Sequence, residues 1–181
     1  VSREAAHQRV RASAIMLAKI YCLLSSGLVV PLLAIGMPPF DAVIHTFSTI
    51  ANGGFSNHSE SIAFYDSGAI EMVLVLFMLM SALNFAIYDA LIRGGPKGRL
   101  KPAWSRFYGS LEARLFLGIV AFCTLTIGAV LWQTEGVAGF GEPVRAVRDS
   151  LFQVVCVITT AGFATADFDA WPQYCRMLLM L

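Results

Sequence analysis

The chain has 181 residues, of which 57% are hydrophobic and only 14% are charged. Soluble domains contain roughly 45–50% apolar and about 25% charged residues, so this composition excludes an ordinary soluble domain and indicates a protein of the lipid bilayer. The net charge of +1 excludes a polybasic protein that binds nucleic acid or membrane surfaces through charge alone.

Three apolar segments are long enough to cross a bilayer, which takes about 20 residues of helix. They cover residues 12–35, residues 67–92 and residues 115–132. A further apolar segment begins at residues 177–181. The sequence therefore predicts an all-α integral membrane protein.

Two apolar segments between these spans are too short to cross. Residues 41–50 and residues 149–158 would each give roughly 15 Å of helix, so we expect two helices that enter the membrane and stop halfway. Asp41 and Asp149 open them as predicted N-caps. Each short helix runs into a small polar loop, "ANGGFS" or "TTAGFAT".

The two halves of the chain form an internal repeat. An offset of 108 residues places "GGF" at residues 53–55 on "AGF" at residues 161–163 and lays Asp41 on Asp149. The order is span, half-helix, polar loop, span, and both copies run in the same direction. We therefore expect a parallel repeat about an axis along the membrane normal.

The domain prediction follows this repeat. Residues 1–110 form one complete helix, pore loop and helix unit, and residues 111–181 form a second unit that is truncated in its last helix.

Basic residues predict the sidedness of the membrane segments. Residues 93–108 hold five Lys or Arg and no acid, and residues 1–11 hold three arginines, whereas residues 36–70 have no Lys or Arg. By the positive-inside rule, residues 1–11 and 93–108 are cytoplasmic and the two glycine loops face outside.

The glycine loops favour cation chemistry that uses the backbone. A half-helix that ends in the membrane directs the negative end of its dipole toward the centre, and a dehydrated cation can exchange its water shell for carbonyl oxygens. Turning successive carbonyls inward needs backbone angles that glycine adopts at little steric cost. Gly54 and Gly162 occupy equivalent places, and the phenylalanines after them are predicted to wedge the loops from behind.

The motifs "HTFSTIANGGFSNH" and "CVITTAGFATADFDAWP" resemble the second and third pore loops of the Trk/Ktr potassium transporter superfamily, and the second is closest to the TrkH branch. The resemblance implies four such units in a voltage-gated-like ion channel architecture, each giving one glycine to a selectivity filter. The resemblance covers two of these four units in the present chain. The potassium filter residues that it implies are Asn52, Gly53, Gly54 and Phe55 on one wall and Thr160, Ala161, Gly162 and Phe163 on the other.

The same resemblance implies partners and a location. It implies a multi-pass protein of the bacterial inner membrane, a homodimer, and a cytoplasmic nucleotide-binding regulatory subunit that meets the basic loop. The alternative for that loop is a topology signal without a partner. No G-x-G-x-x-G motif occurs, so nucleotide control would come from another chain. Potassium is the transported substrate and no cofactor is expected. Asn52 departs from the family's usual Thr.

Potassium uptake through the loops is the function that the sequence favours. The alternatives are a secondary transporter whose re-entrant loops bind a small solute, a membrane scaffold that transports nothing, and ordinary outer loops beside short interfacial helices. We expect no enzyme, because no catalytic constellation shares a plausible face. His45 is predicted to pack or cap rather than to bind a ligand. Glu71 and Asp66 are predicted to be solvated or to face headgroups, and the alternative is that they concentrate cations at the mouth of the pathway.

Overall fold

The computed structural model describes residues 3–83, 88, 111–134 and 143–180, with side chains from residue 10 onward. This part of the chain is helical and contains no strand, which confirms the all-α prediction. Short 3₁₀ helices cover Ser61–Tyr65 and Phe168–Ala170. The α-helices are α1 (Arg3–Ile35), α2 (Pro39–Ile50), α3 (Gly68–Ser81), α4 (Leu111–Gln133), α5 (Pro143–Ile158) and α6 (Gln173–Met180).

Helices α1 and α4 contain the segments suited to spanning a bilayer. Val10–Ile35 within α1 and Leu111–Gln133 are long and apolar enough to cross, and only 28% of an apolar 18-residue stretch in each is buried. An apolar helix that leaves most of its surface outside the fold is typical of a membrane span rather than of a soluble core. The predicted spans over residues 12–35 and 115–132 lie inside these two helices.

The predicted span over residues 67–92 is only partly a helix in the structure. Helix α3 ends at Ser81 and the chain turns in the next two residues. The Ser81 hydroxyl donates to the Met78 carbonyl at 2.9 Å, and such side-chain bonds compete with the helical ladder. Most of the remaining residues of this predicted span lie outside the described part of the chain.

Both short helices begin at a proline rather than at the predicted aspartate. Helix α2 begins at Pro39, with Pro38 before it, and helix α5 begins at Pro143. Proline favours the first helical turn because its φ is already helical and it lacks an amide that would stay unpaired there. The N-cap roles predicted for Asp41 and Asp149 are therefore wrong, and the helices are about 18 Å and 24 Å long.

The short helices pack among the longer ones. Helix α2 contacts α1 and α3, and helix α5 contacts α3 and α4, so α3 joins the two repeats. The largest fully buried apolar side chains are Leu28, Leu32, Ile62, Leu74, Met78, Ile127, Leu131, Phe152, Val154 and Trp171. In a bilayer these contacts stabilise the bundle through close packing rather than through loss of water.

Residues 93–108 and the side chains of residues 1–9 lie outside the described residues. The predicted sidedness therefore stays a prediction, as does the division into units at residues 1–110 and 111–181.

Candidate functional site

The two glycine loops lie against each other. A Cβ placed on Gly54 would collide with the Ala161 carbonyl oxygen and would lie 3.2 Å from the Gly162 Cα. A Cβ placed on Gly162 would lie 3.8 Å from the Gly54 Cα. The structure thus brings together two loops that are 108 residues apart in sequence, and only glycine at residue 54 permits so close an approach.

The two loops share one unusual backbone conformation. Asn52 and Gly54 have φ of +50° and +66°, and Thr160 and Gly162 have φ of +58° and +76°. Positive φ is easy for glycine and tolerated by Asn, but it is a true outlier for a β-branched residue such as Thr160. Strain of this kind costs on the order of 1–3 kcal/mol and clusters at functional sites. The same alternation therefore occurs at equivalent places in both repeats.

The amides of both loops turn back toward the preceding helix. In each loop one amide donates to the carbonyl three residues earlier, and the next amide donates to the carbonyl five residues earlier. The corresponding distances in the two loops are similar. The bonds are Asn52 N to Thr49 O at 3.2 Å, Gly53 N to Ser48 O at 2.8 Å, Thr160 N to Val157 O at 3.0 Å and Ala161 N to Cys156 O at 2.9 Å.

The carbonyls of the same residues have no such partners. Among the residues that the structure describes, no donor is hydrogen-bonded to the carbonyl oxygens of residues 52–54 or 160–162. These six carbonyl oxygens, on two touching loops, are the candidate ligands for a dehydrated cation. Helices α2 and α5 end directly before the loops and add the negative ends of their dipoles.

The two phenylalanines after the glycines differ. Phe163 is 3% exposed, and its ring centroid lies 6.0 Å from that of His45 on α2. Phe55 is 75% exposed, with its ring beside the Gly53 backbone. Phe163 thus packs against the first repeat, whereas no described element covers Phe55, and the wedge role stays a prediction for both.

The sequence analysis missed a polar network beside the first loop. The Asp41 carboxylate accepts hydrogen bonds from Asn57, from His58 Nε2 at 3.0 Å and from the Tyr65 hydroxyl at 2.6 Å. Those bonds, first from His58 and then from Tyr65 and Asn57, lower the pKa of Asp41 from 3.8 to about 2 although burial opposes them. Burial, and then the bond to Asp41, raise the pKa of Tyr65 well above its usual range.

His45 has the structural role that the sequence analysis favoured. It is fully buried, with Nδ1 2.8 Å from the Asp41 carbonyl oxygen and Nε2 3.1 Å from Ser56 Oγ. Only the spacing of Asp41 and His45 along one helix face was visible in the sequence. The partners on residues 56–65 could not be identified, because the loop path that returns them to α2 has no periodic signal.

An ion pair joins the two repeats away from the glycine loops. Arg148 on α5 places Nε 3.1 Å from Glu71 Oε2 on α3 and 3.4 Å from Asp149 Oδ1. The Glu71 side chain is only 5% exposed, so the prediction that it is solvated or faces headgroups is wrong. The reason is that α3 packs on α5, a contact that the sequence pattern does not reveal.

Backbone contacts reinforce the junction of the repeats. The Ala63 amide donates to the Ala164 carbonyl at 3.2 Å, and the Ala164 amide is 3.3 Å from Ser61 Oγ. Among the described residues, no group of three or more His, Cys, Asp or Glu side chains is placed to hold a metal ion.

Known proteins similar to this chain are cation transporters. The TrkH family, described as a cation transport protein, matches residues 12–181. The Trk system potassium uptake protein TrkH of Salmonella typhimurium is 36% identical over 95% of this chain and 34% of its own length. The TrkG protein of Escherichia coli, another Trk system potassium uptake protein, is 32% identical over 89% of this chain and 31% of its own length.

A solved structure is similar as well. The crystal structure of the potassium transporter TrkH from Vibrio parahaemolyticus superposes with a TM-score of 0.83 at 36% identity, covering 95% of this chain and 35% of that one. The chain spans about a third of the length of these relatives. Because the family match covers nearly every residue, the chain belongs to the TrkH family of cation transport proteins.

Proposed function

We propose that the two glycine loops are two walls of a potassium pathway. The observation that carries this function is the set of six carbonyl oxygens, on two touching loops of matched φ, that have no donor among the described residues. A potassium ion that sheds water needs such oxygens. The proposed filter residues are Asn52, Gly53, Gly54, Phe55, Thr160, Ala161, Gly162 and Phe163.

Further walls complete the pathway in the full-length protein. The equivalence of the repeats supports this proposal, because Phe163 of the second wall is buried against His45 of the first, whereas Phe55 is 75% exposed. A third wall that repeats this contact would cover Phe55. The relatives, about three times as long as this chain, have room for such walls.

The proposed location is the bacterial inner membrane. Residues 1–11 and 93–108 lie in the cytoplasm and the glycine loops face outside, which is supported by the distribution of Lys and Arg. The proposed assembly is a homodimer with a cytoplasmic nucleotide-binding regulatory subunit at the basic segment. The family resemblance supports this assembly, and crosslinking of the full-length protein in membranes tests it.

The experiment that tests the function compares two valine substitutions in the full-length protein. Gly162→Val places a β-branched side chain at φ +76°, whereas Gly118→Val lies on α4, where a Cβ meets nothing within 4 Å. In cells that lack their own potassium uptake, we expect Gly162→Val to abolish selective rubidium uptake at unchanged membrane abundance. Gly118→Val is expected to transport as the wild type does.

Two outcomes would contradict the proposal. Normal, selective rubidium uptake by Gly162→Val would exclude a filter role for this loop. A wild-type protein that carries a small solute but no rubidium would indicate the secondary-transporter alternative.

A further inference from the structure

We propose that Asp41 is a positioning residue that holds the first glycine loop in its ion-binding shape and thereby sets potassium-over-sodium selectivity. The proposal rests on the proposed function of the loops. It assigns a role to a side chain that contacts no ion but fixes the chain on both sides of the carbonyls.

The first step is the direction of the bonds to Asp41. Its carboxylate is on α2, before the loop, and its three donors, Asn57, His58 and Tyr65, all follow the loop in the chain. The side chain of Asp41 is only 10% exposed, so these bonds are protected from competing water. One carboxylate therefore ties the outgoing chain back to the helix that supplies the incoming chain.

The second step leads from Asp41 to the loop itself. Ser56, two residues after Gly54, has its Oγ 3.1 Å from His45 Nε2 and 3.1 Å from the His58 amide. The Asp41 carbonyl oxygen can only accept, so neutral His45 carries its proton on Nδ1, and its Nε2 accepts from the Ser56 hydroxyl. The hydroxyl oxygen in turn accepts from the His58 amide. Ser56 is thus held from two sides, by His45, which is bonded to the backbone carbonyl of residue 41, and by His58, which is bonded to the Asp41 carboxylate.

Aromatic packing limits the movement of this network. The Phe64 ring stacks on His58 with centroids 3.8 Å apart, and Tyr65 meets the rings of both His45 and His58 edge-on. Hydrogen-bonded side chains locked by packing hold a site more accurately than a free loop does.

Among the described residues of the second repeat, one bond of this kind is present, from Gln153 Nε2 to the Ala166 carbonyl at 3.4 Å, and it does not involve the matching aspartate. Asp149, at the position that matches Asp41, is paired with Arg145 and Arg148. Both arginines are on its own helix and neither belongs to the segment after Gly162. A general role for this aspartate in helix stability would give both positions similar partners. The bonds to the returning segment therefore mark a role specific to the first loop.

The test measures the ratio of rubidium to sodium uptake by the full-length protein, normalised to its abundance in the membrane. Asp41→Ala removes the acceptor of three bonds, Tyr65→Phe removes one hydroxyl, and His58→Leu removes one ring donor. His58→Gln keeps an amide donor where the ring had one. Glu60→Gln is the matched control, since it removes one exposed acid from the same segment without touching Asp41.

We expect Asp41→Ala to lower the uptake ratio by at least about tenfold and Tyr65→Phe by about fivefold, the factor that one lost hydrogen bond corresponds to. His58→Leu should resemble Tyr65→Phe, and His58→Gln should recover most of the wild-type ratio. Glu60→Gln should leave the ratio unchanged.

Three results would overturn the inference. Variants that lose abundance but keep the wild-type ratio would show a merely structural role for the network. An equal loss of selectivity in Asp41→Ala and Glu60→Gln would show that external negative charge, not loop shape, sets the ratio. If Asp41→Ala fails to reach the membrane, an unchanged ratio in Tyr65→Phe is enough to reject the inference. A wild-type protein without selective rubidium uptake would instead reject the proposed function.

Discussion

The two repeats have the same loop backbone but different side-chain support. Both loops place positive φ at the first and third residues, with amides turned toward the helix before them. The first loop is tied by hydrogen bonds to Asp41 within its own repeat. The second repeat is tied to the first by the pair of Arg148 with Glu71 and by the contact of Phe163 with His45.

This difference in side-chain support is expected if the backbone carbonyl oxygens, rather than the side chains, form the site. In the proposed pathway a cation is bound by backbone oxygens, so the same backbone shape has to be repeated in every wall. The side chains behind that shape only have to hold it, and several kinds of contact can do so. Function therefore constrains the glycines and φ values more tightly than it constrains the polar residues around them.

The largest expected effect is a difference in rubidium uptake between the alanine variants of Gly54 and Gly162. Gly54→Ala should lower rubidium uptake of the full-length protein by more than about tenfold, because strain at positive φ and a collision with Ala161 add together. Gly162→Ala suffers the strain alone, since its Cβ meets only the Gly54 Cα at 3.8 Å, and should keep measurable uptake. Equal losses in the two variants would contradict the inferred contact between the loops.

The next comparison concerns the two phenylalanines. Phe163→Ala should destabilise the 181-residue chain in detergent by about 3–5 kcal/mol, as for other fully buried phenylalanines, whereas Phe55→Ala should have almost no effect there. Thermal unfolding of both variants gives the difference. In the full-length protein, a third wall would cover Phe55, and Phe55→Ala should then become destabilising. If it stays neutral, no wall covers that face.

A smaller effect is expected at the ion pair between the repeats. Arg148→Gln leaves the buried Glu71 without its cation and should cost about 1–3 kcal/mol in free energy of unfolding. Arg145→Gln is the matched control, because that side chain is 52% exposed and its buried partner Asp149 keeps Arg148 as a second cation. The loss of Arg145 should therefore cost only about 0–1 kcal/mol. Denaturant unfolding in micelles compares them. Equal losses in free energy of unfolding for the two variants would show that the pair of Arg148 with Glu71 does not stabilise the contact between the repeats.

The sequence predicted the parts of the fold that depend on apolar length and on glycine. The cores of the spanning helices, the two short helices and the 108-residue offset all follow from local composition, and the structure contains them. The helix starts were wrong because Pro39 and Pro143 were not given the weight that proline has in a first turn. The break after Ser81 was missed because a serine side-chain bond has no clear signature within an apolar run.

The polar contacts could not be predicted in the same way. Glu71 pairs with Arg148 because α3 lies against α5, and His58 and Tyr65 meet Asp41 because the segment after the first loop returns to α2. Both contacts depend on tertiary placement. Sequence reasoning thus found the candidate ion-binding backbone but not the side chains that hold it.

The smallest expected effect is a pH dependence that belongs to the first repeat. The folded-state pKa of Asp41 is lowered from 3.8 to about 2, so its ionised form stabilises the fold above the unfolded value. This stabilisation is lost as the pH falls through the folded value. The melting temperature of wild type should exceed that of Asp41→Asn by a nearly constant amount at neutral pH, about 2–4 °C for each kcal/mol. The gap should shrink as the pH is lowered from about 4 to about 2, where half of the folded Asp41 is protonated, and should close below that pH. Tyr65→Phe, with one donor fewer to Asp41, should have a smaller advantage over Asp41→Asn at neutral pH and should finish losing it at a higher pH than the wild type does. A gap that stays constant down to the lowest pH at which the protein remains in solution would show that the Asp41 carboxylate is not held in its ionised form by this network.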